Sequence, residues 1–200
     1  MWYIIDTEPD AKIYAGLSKS ITPDDYTHLV EEKKIMDVVA EHGSEPGDLF
    51  FLPAGRIHAI GAGNLLAEIQ ENSDITYRVY DFDRRDAQGN TRELHTELAK
   101  DAIDYTVYPE YKDSYDKKAG GIVELVECSH FTVDKVSVDG EVTIPEAEDS
   151  FMVVMCLEGE CILTVDGDTT PLHRGETVLV AASATGINVS GNATLLTATA

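Results

Sequence analysis

Residues 46–78, PGDLFFLPAGRIHAIGAGNLLAEIQENSDITYR, constrain the fold more than any other stretch of the chain. A Pro46-Gly47-Asp48 turn feeds the apolar run 49–52, and a Pro53-Ala54-Gly55 turn then delivers His58 into a second short apolar run. Two strand candidates follow, 65–70 and 75–79, joined by Glu71-Asn72-Ser73-Asp74. Turns alternating with short strands at this spacing predict an antiparallel sandwich or barrel.

Within a strand, His58 points away from its neighbours Ile57 and Ala59. Two readings are open for it: a hydrogen-bonded core histidine, or a site residue. Its company bears on the choice. Glu68 shares a face with Leu66 and Gln70 on the next strand candidate, and Arg78 ends the one after. An imidazole, a carboxylate and a guanidinium on adjacent short strands can converge inside one barrel mouth.

The motif PAGRIHAIGAG, followed by LLAEIQENSDITYRVYDFDR, resembles the bacterial type I mannose-6-phosphate isomerases, zinc enzymes of the cupin class. MWYII at the start and RELHTE at 92–97 extend the resemblance over roughly the first 110 residues, and the remainder fits the family's second, degenerate barrel more loosely. The resemblance implies a mainly β fold of cupin-type jelly-roll barrels: an incomplete first barrel with helical insertions, then a second non-catalytic barrel. It makes His58 a Zn²⁺ ligand and places Glu68 and Arg78 in catalysis. It sets Asp74 beside them and Arg84 near the substrate phosphate. The family's other zinc ligands, a Gln-x-His pair and a Glu, lie upstream of the MWY motif, so three of four are expected to be missing here. The implied reaction interconverts mannose 6-phosphate and fructose 6-phosphate through a zinc-assisted enediol, with this chain expected to be truncated and impaired. The alternative is a metal-free sugar-phosphate-binding or interaction module.

The rest of the chain supplies the domain plan. Thr22-Pro23-Asp24-Asp25 is a helix start, with a capping threonine, proline in the first turn and acidic residues at the positive helix end. That helix is expected to reach about Glu32, with a second short helical segment at 35–40. His42 is expected in a polar, solvated loop. A helix is predicted over 91–105, with Leu94, Leu98, Ala102 and Tyr105 on one face. The expected division is 1–108 for the first domain, 109–120 as linker and 121–200 for the second. Beyond residue 121 the pattern is all-β, with strands at 121–128, 131–138, 141–144, 150–158, 160–165, 177–180, 186–190 and 193–197. Arg84 and Arg85 read either as a solvated cluster or as phosphate contacts, for which guanidinium geometry is suited.

The net charge of −22 argues against nucleic acid and anionic membrane surfaces as partners. Any anionic substrate must therefore meet a local basic cluster. The three cysteines form no C-x-x-C pair and are expected to be reduced in a cytoplasmic protein, with Cys156 and Cys161 on opposite faces of a strand. An apolar strand at the very start of the chain predicts an exposed sheet edge around residues 2–5 and homodimerisation through it.

Overall fold

The computed structural model describes residues 1–73, 75–147 and 149–200. They form two compact units, Met1–Asp113 and Ser114–Ala200.

The first unit holds two three-stranded antiparallel sheets. One is ordered β4-β1-β6, from β1 (Trp2–Thr7), β4 (Leu49–Phe50) and β6 (Asn64–Glu68). The other is ordered β3-β2-β5, from β2 (Lys12–Leu17), β3 (Val39–Gly43) and β5 (His58–Ile60). Trp2, Ile4, Ile13, Ala15, Ala40, Phe50 and Tyr111 form one buried cluster between these strands. Full burial of each large apolar member contributes roughly 1.5–3 kcal/mol. β1 is a central strand, with Trp2, Tyr3 and Ile4 buried, so the exposed edge expected at residues 2–5 is not there.

Helix α1 (Pro23–Glu31) begins as its sequence predicts. Thr22 and Asp25 form a reciprocal capping box, and the helix buries Tyr26. It packs with α2 (Thr96–Ala102) around a cluster of Leu17, Tyr26, Ile35, Val38, Val39 and Ala99. Three expectations need correction. Segment 35–40 is only a single 3-10 turn, Ile35–Asp37, before β3 starts. His42 lies on β3 rather than in a solvated loop: its Nε2 donates to the Ala15 carbonyl (3.1 Å), and its ring meets Phe50 and Tyr111. α2 begins at Thr96, because 91–95 is held extended. Thr91 bridges Arg85, Arg92 is tied to Asp81, and the Glu93 carbonyl accepts from Arg78.

The second unit is one antiparallel sheet in the order β10-β9-β12-β8-β7, with β11 also pairing β9. Its strands are β7 (Gly121–Glu127), β8 (Thr132–Thr143), β9 (Met152–Val165), β10 (Asp168–His173), β11 (Thr177–Val180) and β12 (Asn188–Thr199). Three strands that the sequence splits in two run continuously through a glycine: Gly140 in β8, Gly159 in β9 and Gly191 in β12. Gly191 shows why. At φ +138°, a Cβ there would stand 2.7 Å from the Glu160 carbonyl oxygen, so only glycine lets the paired strands approach and bend together.

Cys156 and Cys161 are both buried in the same core, not on opposite faces. β12 pairs Thr194 with Glu158 but Leu195 with Cys156, so an extra residue on β9 resets the alternation between the two cysteines.

Candidate active site

His58 and Glu68 reach the site from opposite sheets. His58 pairs with Ala15 and Ile60 with Ile13, and directly opposed residues share a face. Ala15 and Ile13 are fully buried, so His58 lies on the inward face of its sheet while remaining exposed at its end. Glu68 pairs with Trp2, and Leu66 with Ile4, which places Glu68 on the inward face of the other sheet, also at an exposed end.

Trp2 joins the two. Its Nε1 donates to Glu68 Oε1 at 2.9 Å, and its ring meets the His58 ring edge-on, centroids 5.2 Å apart at 79°. Nδ1 of His58 lies 2.7 Å from the Arg56 carbonyl, which can only accept, so Nδ1 carries the proton and Nε2 presents its lone pair. That is the tautomer of an imidazole ready to bind a metal or accept a proton.

The turn before His58 is locked by the residue within it. Arg56 donates Nη1 to the Phe51 carbonyl (2.8 Å) and lies over the rings of Tyr108 (4.9 Å) and Tyr111 (5.3 Å). Gly55 is needed at φ +87°, where a Cβ would come within 2.5 Å of the Ala102 carbonyl. Trp2 and Arg56 were not among the site residues read from the sequence. The visible signals were the single tryptophan of the chain and an arginine inside an otherwise small and apolar turn.

Arg78 is not at the end of a strand, since 75–79 is irregular among the described residues. Its backbone is satisfied by His95 instead. The Arg78 N–H donates to Nδ1 of His95 (2.9 Å), the His95 N–H donates to the Arg78 carbonyl (2.8 Å), and Nη1 of Arg78 donates to the Glu93 carbonyl (3.1 Å). A shallow hollow is lined by residues 93–98, which include His95. Arg78 makes no hydrogen bond to His58 or Glu68. Asp74 lies outside the described residues.

Arg84 is committed to Asp81, whose side chain is 7% exposed. Asp81 also takes two bonds from Arg92, at Nε (2.8 Å) and at Nη2. Hydrogen bonds from Arg92 above all, and from Arg84, hold the Asp81 carboxyl well below the usual carboxylate range, against the opposing effect of burial. Phe82 and Asp83 between them are both left-handed (φ 54° and 51°), an uncommon conformation for non-glycine residues. The outer surfaces of Arg84 and Arg92 remain 65% and 52% exposed, so one carboxylate carries two guanidiniums with free donors. Arg85 donates to the Gly89 carbonyl (2.7 Å).

A catalytic zinc needs about three protein ligands and an open position. No group of three or more His, Cys, Asp or Glu side chains able to hold a metal occurs among the described residues. His58 is a single prepared ligand, and Glu68 Oε1 is occupied by Trp2, so the described donor set does not by itself fit zinc. No helix of the described residues is long and apolar enough to cross a membrane.

Residues 121–199 match the family model for the cupin domain of mannose-6-phosphate isomerase. The chain is 33% identical over 181 residues to mannose-6-phosphate isomerase ManA of Bacillus subtilis, covering 90% of this chain and 57% of ManA. It is 31% identical over 188 residues to the mannose-6-phosphate isomerase of Streptococcus mutans, covering 90% of this chain and 56% of that protein. The fold is similar to the crystal structure of the mannose 6-phosphate isomerase from Bacillus subtilis, with a TM-score of 0.84 at 30% identity over 98% of this chain and 63% of that one. The chain thus spans less than two thirds of the length of each of these proteins. The cupin-type β fold expected from the sequence is the fold observed, and in sequence and fold together the chain is similar to mannose-6-phosphate isomerases over part of their length.

Proposed function

We propose that the chain acts as an aldose–ketose isomerase on mannose 6-phosphate and fructose 6-phosphate. The observation that carries this reading is the meeting of His58 and Glu68 on Trp2 at the open end of the first unit, in a chain similar to ManA over 90% of its length. The reaction moves a proton between C2 and C1 through an enediol. In this reading the Glu68 carboxylate carries that proton. Arg78 stabilises the developing enediolate charge with its fixed positive group. Arg84 holds the phosphate with its free donors, and Asp74 is assigned to substrate binding. His58 offers Nε2 as one ligand of a zinc whose remaining ligands are not among the described residues. The proposed setting is the cytoplasm, which suits reduced thiols and a phosphorylated substrate.

A donor set with one prepared imidazole favours a second reading, a sugar-phosphate-binding module without catalysis. An assay coupling fructose 6-phosphate formation to a dye separates the two. Turnover that is lost in Glu68→Gln supports the isomerase. Saturable binding of fructose 6-phosphate with no turnover supports the binding module.

A further inference from the structure

We infer that Trp2 is a positioning residue, whose indole N–H holds Oε1 of Glu68 and leaves Oε2 as the oxygen that moves the proton. This rests on the isomerase reading above and assigns an atom within it. Trp2 is 2% exposed and sits on the central strand of its sheet, in register with Glu68. A buried indole N–H requires an acceptor, and packing alone is satisfied by any backbone carbonyl. Here the acceptor is instead a carboxylate at the exposed end of the inward face, 2.9 Å away. An indole nitrogen only donates, so it fixes which oxygen stays unprotonated. The same ring abuts His58, whose other side is tied to the Arg56 carbonyl. One side chain therefore sets the orientation of both candidate groups.

The proton balance needs nothing further. Oε2 takes the proton from C2, and the C–H electron pair becomes the C1–C2 double bond of the enediol. The O2 proton passes to O1 in the same intermediate. Glu68 stands at an exposed end, so the proton on Oε2 exchanges with solvent before one is delivered from Oε2 to C1, forming the new C–H bond and leaving the carbonyl at C2. No oxidant or reductant enters.

Trp2 is the chain's single tryptophan, so its indole N–H gives one resolvable resonance in a ¹⁵N-labelled sample. At neutral pH that resonance is expected to lie further downfield in the wild-type chain than in Glu68→Gln, which keeps an acceptor but no charge. A resonance at the same position in both proteins overturns the inference. The kinetic arm uses Trp2→Phe, which keeps a ring and loses the donor. The kcat is expected to fall about tenfold with KM for mannose 6-phosphate unchanged, the scale of one hydrogen bond to a charged group. A rise in KM at constant kcat contradicts it. If the chain binds fructose 6-phosphate without turnover, the isomerisation reading fails and the indole resonance alone decides the positioning role.

Discussion

Arg78 and His95 are joined by two hydrogen bonds, one from backbone to side chain and one between backbones. The Arg78 N–H donates to Nδ1 of His95 at 2.9 Å, and the His95 N–H returns to the Arg78 carbonyl at 2.8 Å. The pair ties an irregular segment to the start of α2. Replacing His95 by alanine removes the side-chain acceptor from a half-buried N–H, which costs about 1 kcal/mol. His95→Asn, whose side-chain oxygen can take the place of Nδ1, is expected to recover most of that loss. Urea unfolding of the two variants beside the wild type checks the order.

Asp81 carries the acid sensitivity of the arginine cluster. Its folded pKa is depressed, first by Arg92 and then by Arg84. A depressed carboxylate contributes stability that is present above its unfolded pKa, about 3.9, and is lost as the pH falls through the folded value. Asp81→Asn is therefore expected to lower the urea midpoint at neutral pH. The gap to wild type should shrink as the pH falls below about 4. A gap that stays constant down that range counts against the assignment.

The Tyr26 hydroxyl is fully buried and has no hydrogen-bond partner among the described residues, and burial, with Tyr105 and Glu97 adding to it, pushes its pKa up to about 12. A buried polar atom without a partner costs about 1–3 kcal/mol. Tyr26→Phe removes the hydroxyl and keeps the ring against Tyr105, so the melting temperature is expected to hold or rise by a few degrees. A fall would mean that the hydroxyl has an unrecognised partner.

Burial pushes the Cys156 thiol up and the Cys161 thiol up to about 11, and both side chains sit in the core of the second unit. Neither is expected to react with a disulfide-based thiol reagent in the folded protein at mildly alkaline pH. Cys128, half-buried at the end of β7, is expected to react first, and all three only after denaturation. Two or more thiols titrating rapidly in the native chain would contradict the placement of the core pair.

Local chemistry was legible wherever it acts over a few residues. The Thr22–Asp25 capping box, the Pro53-Ala54-Gly55 turn and the inward faces of His58 and Glu68 all follow from spacing. What escaped depends on partners distant in the chain. Nothing near His42 announces that it pairs across to Ala15 and packs on Tyr111. The helical periodicity at 91–95 lost to Asp81 and Arg78, which claim Arg92 and the Glu93 carbonyl. The long strands of the second unit looked broken because their glycines mark bends, and the bulge on β9 reversed the facing of one cysteine. Trp2 read as part of an exposed edge, and it is core. Only the register with Glu68 reveals that its polar edge is spent on the site.

The most direct test of the isomerase reading is to incubate the chain with mannose 6-phosphate in heavy water and follow the product by proton NMR. Proton transfer through an enediol predicts fructose 6-phosphate carrying solvent deuterium at C1, with both formation and labelling lost in Glu68→Gln. Fructose 6-phosphate formed without deuterium at C1, or labelling that persists in Glu68→Gln, would contradict proton transfer by Glu68.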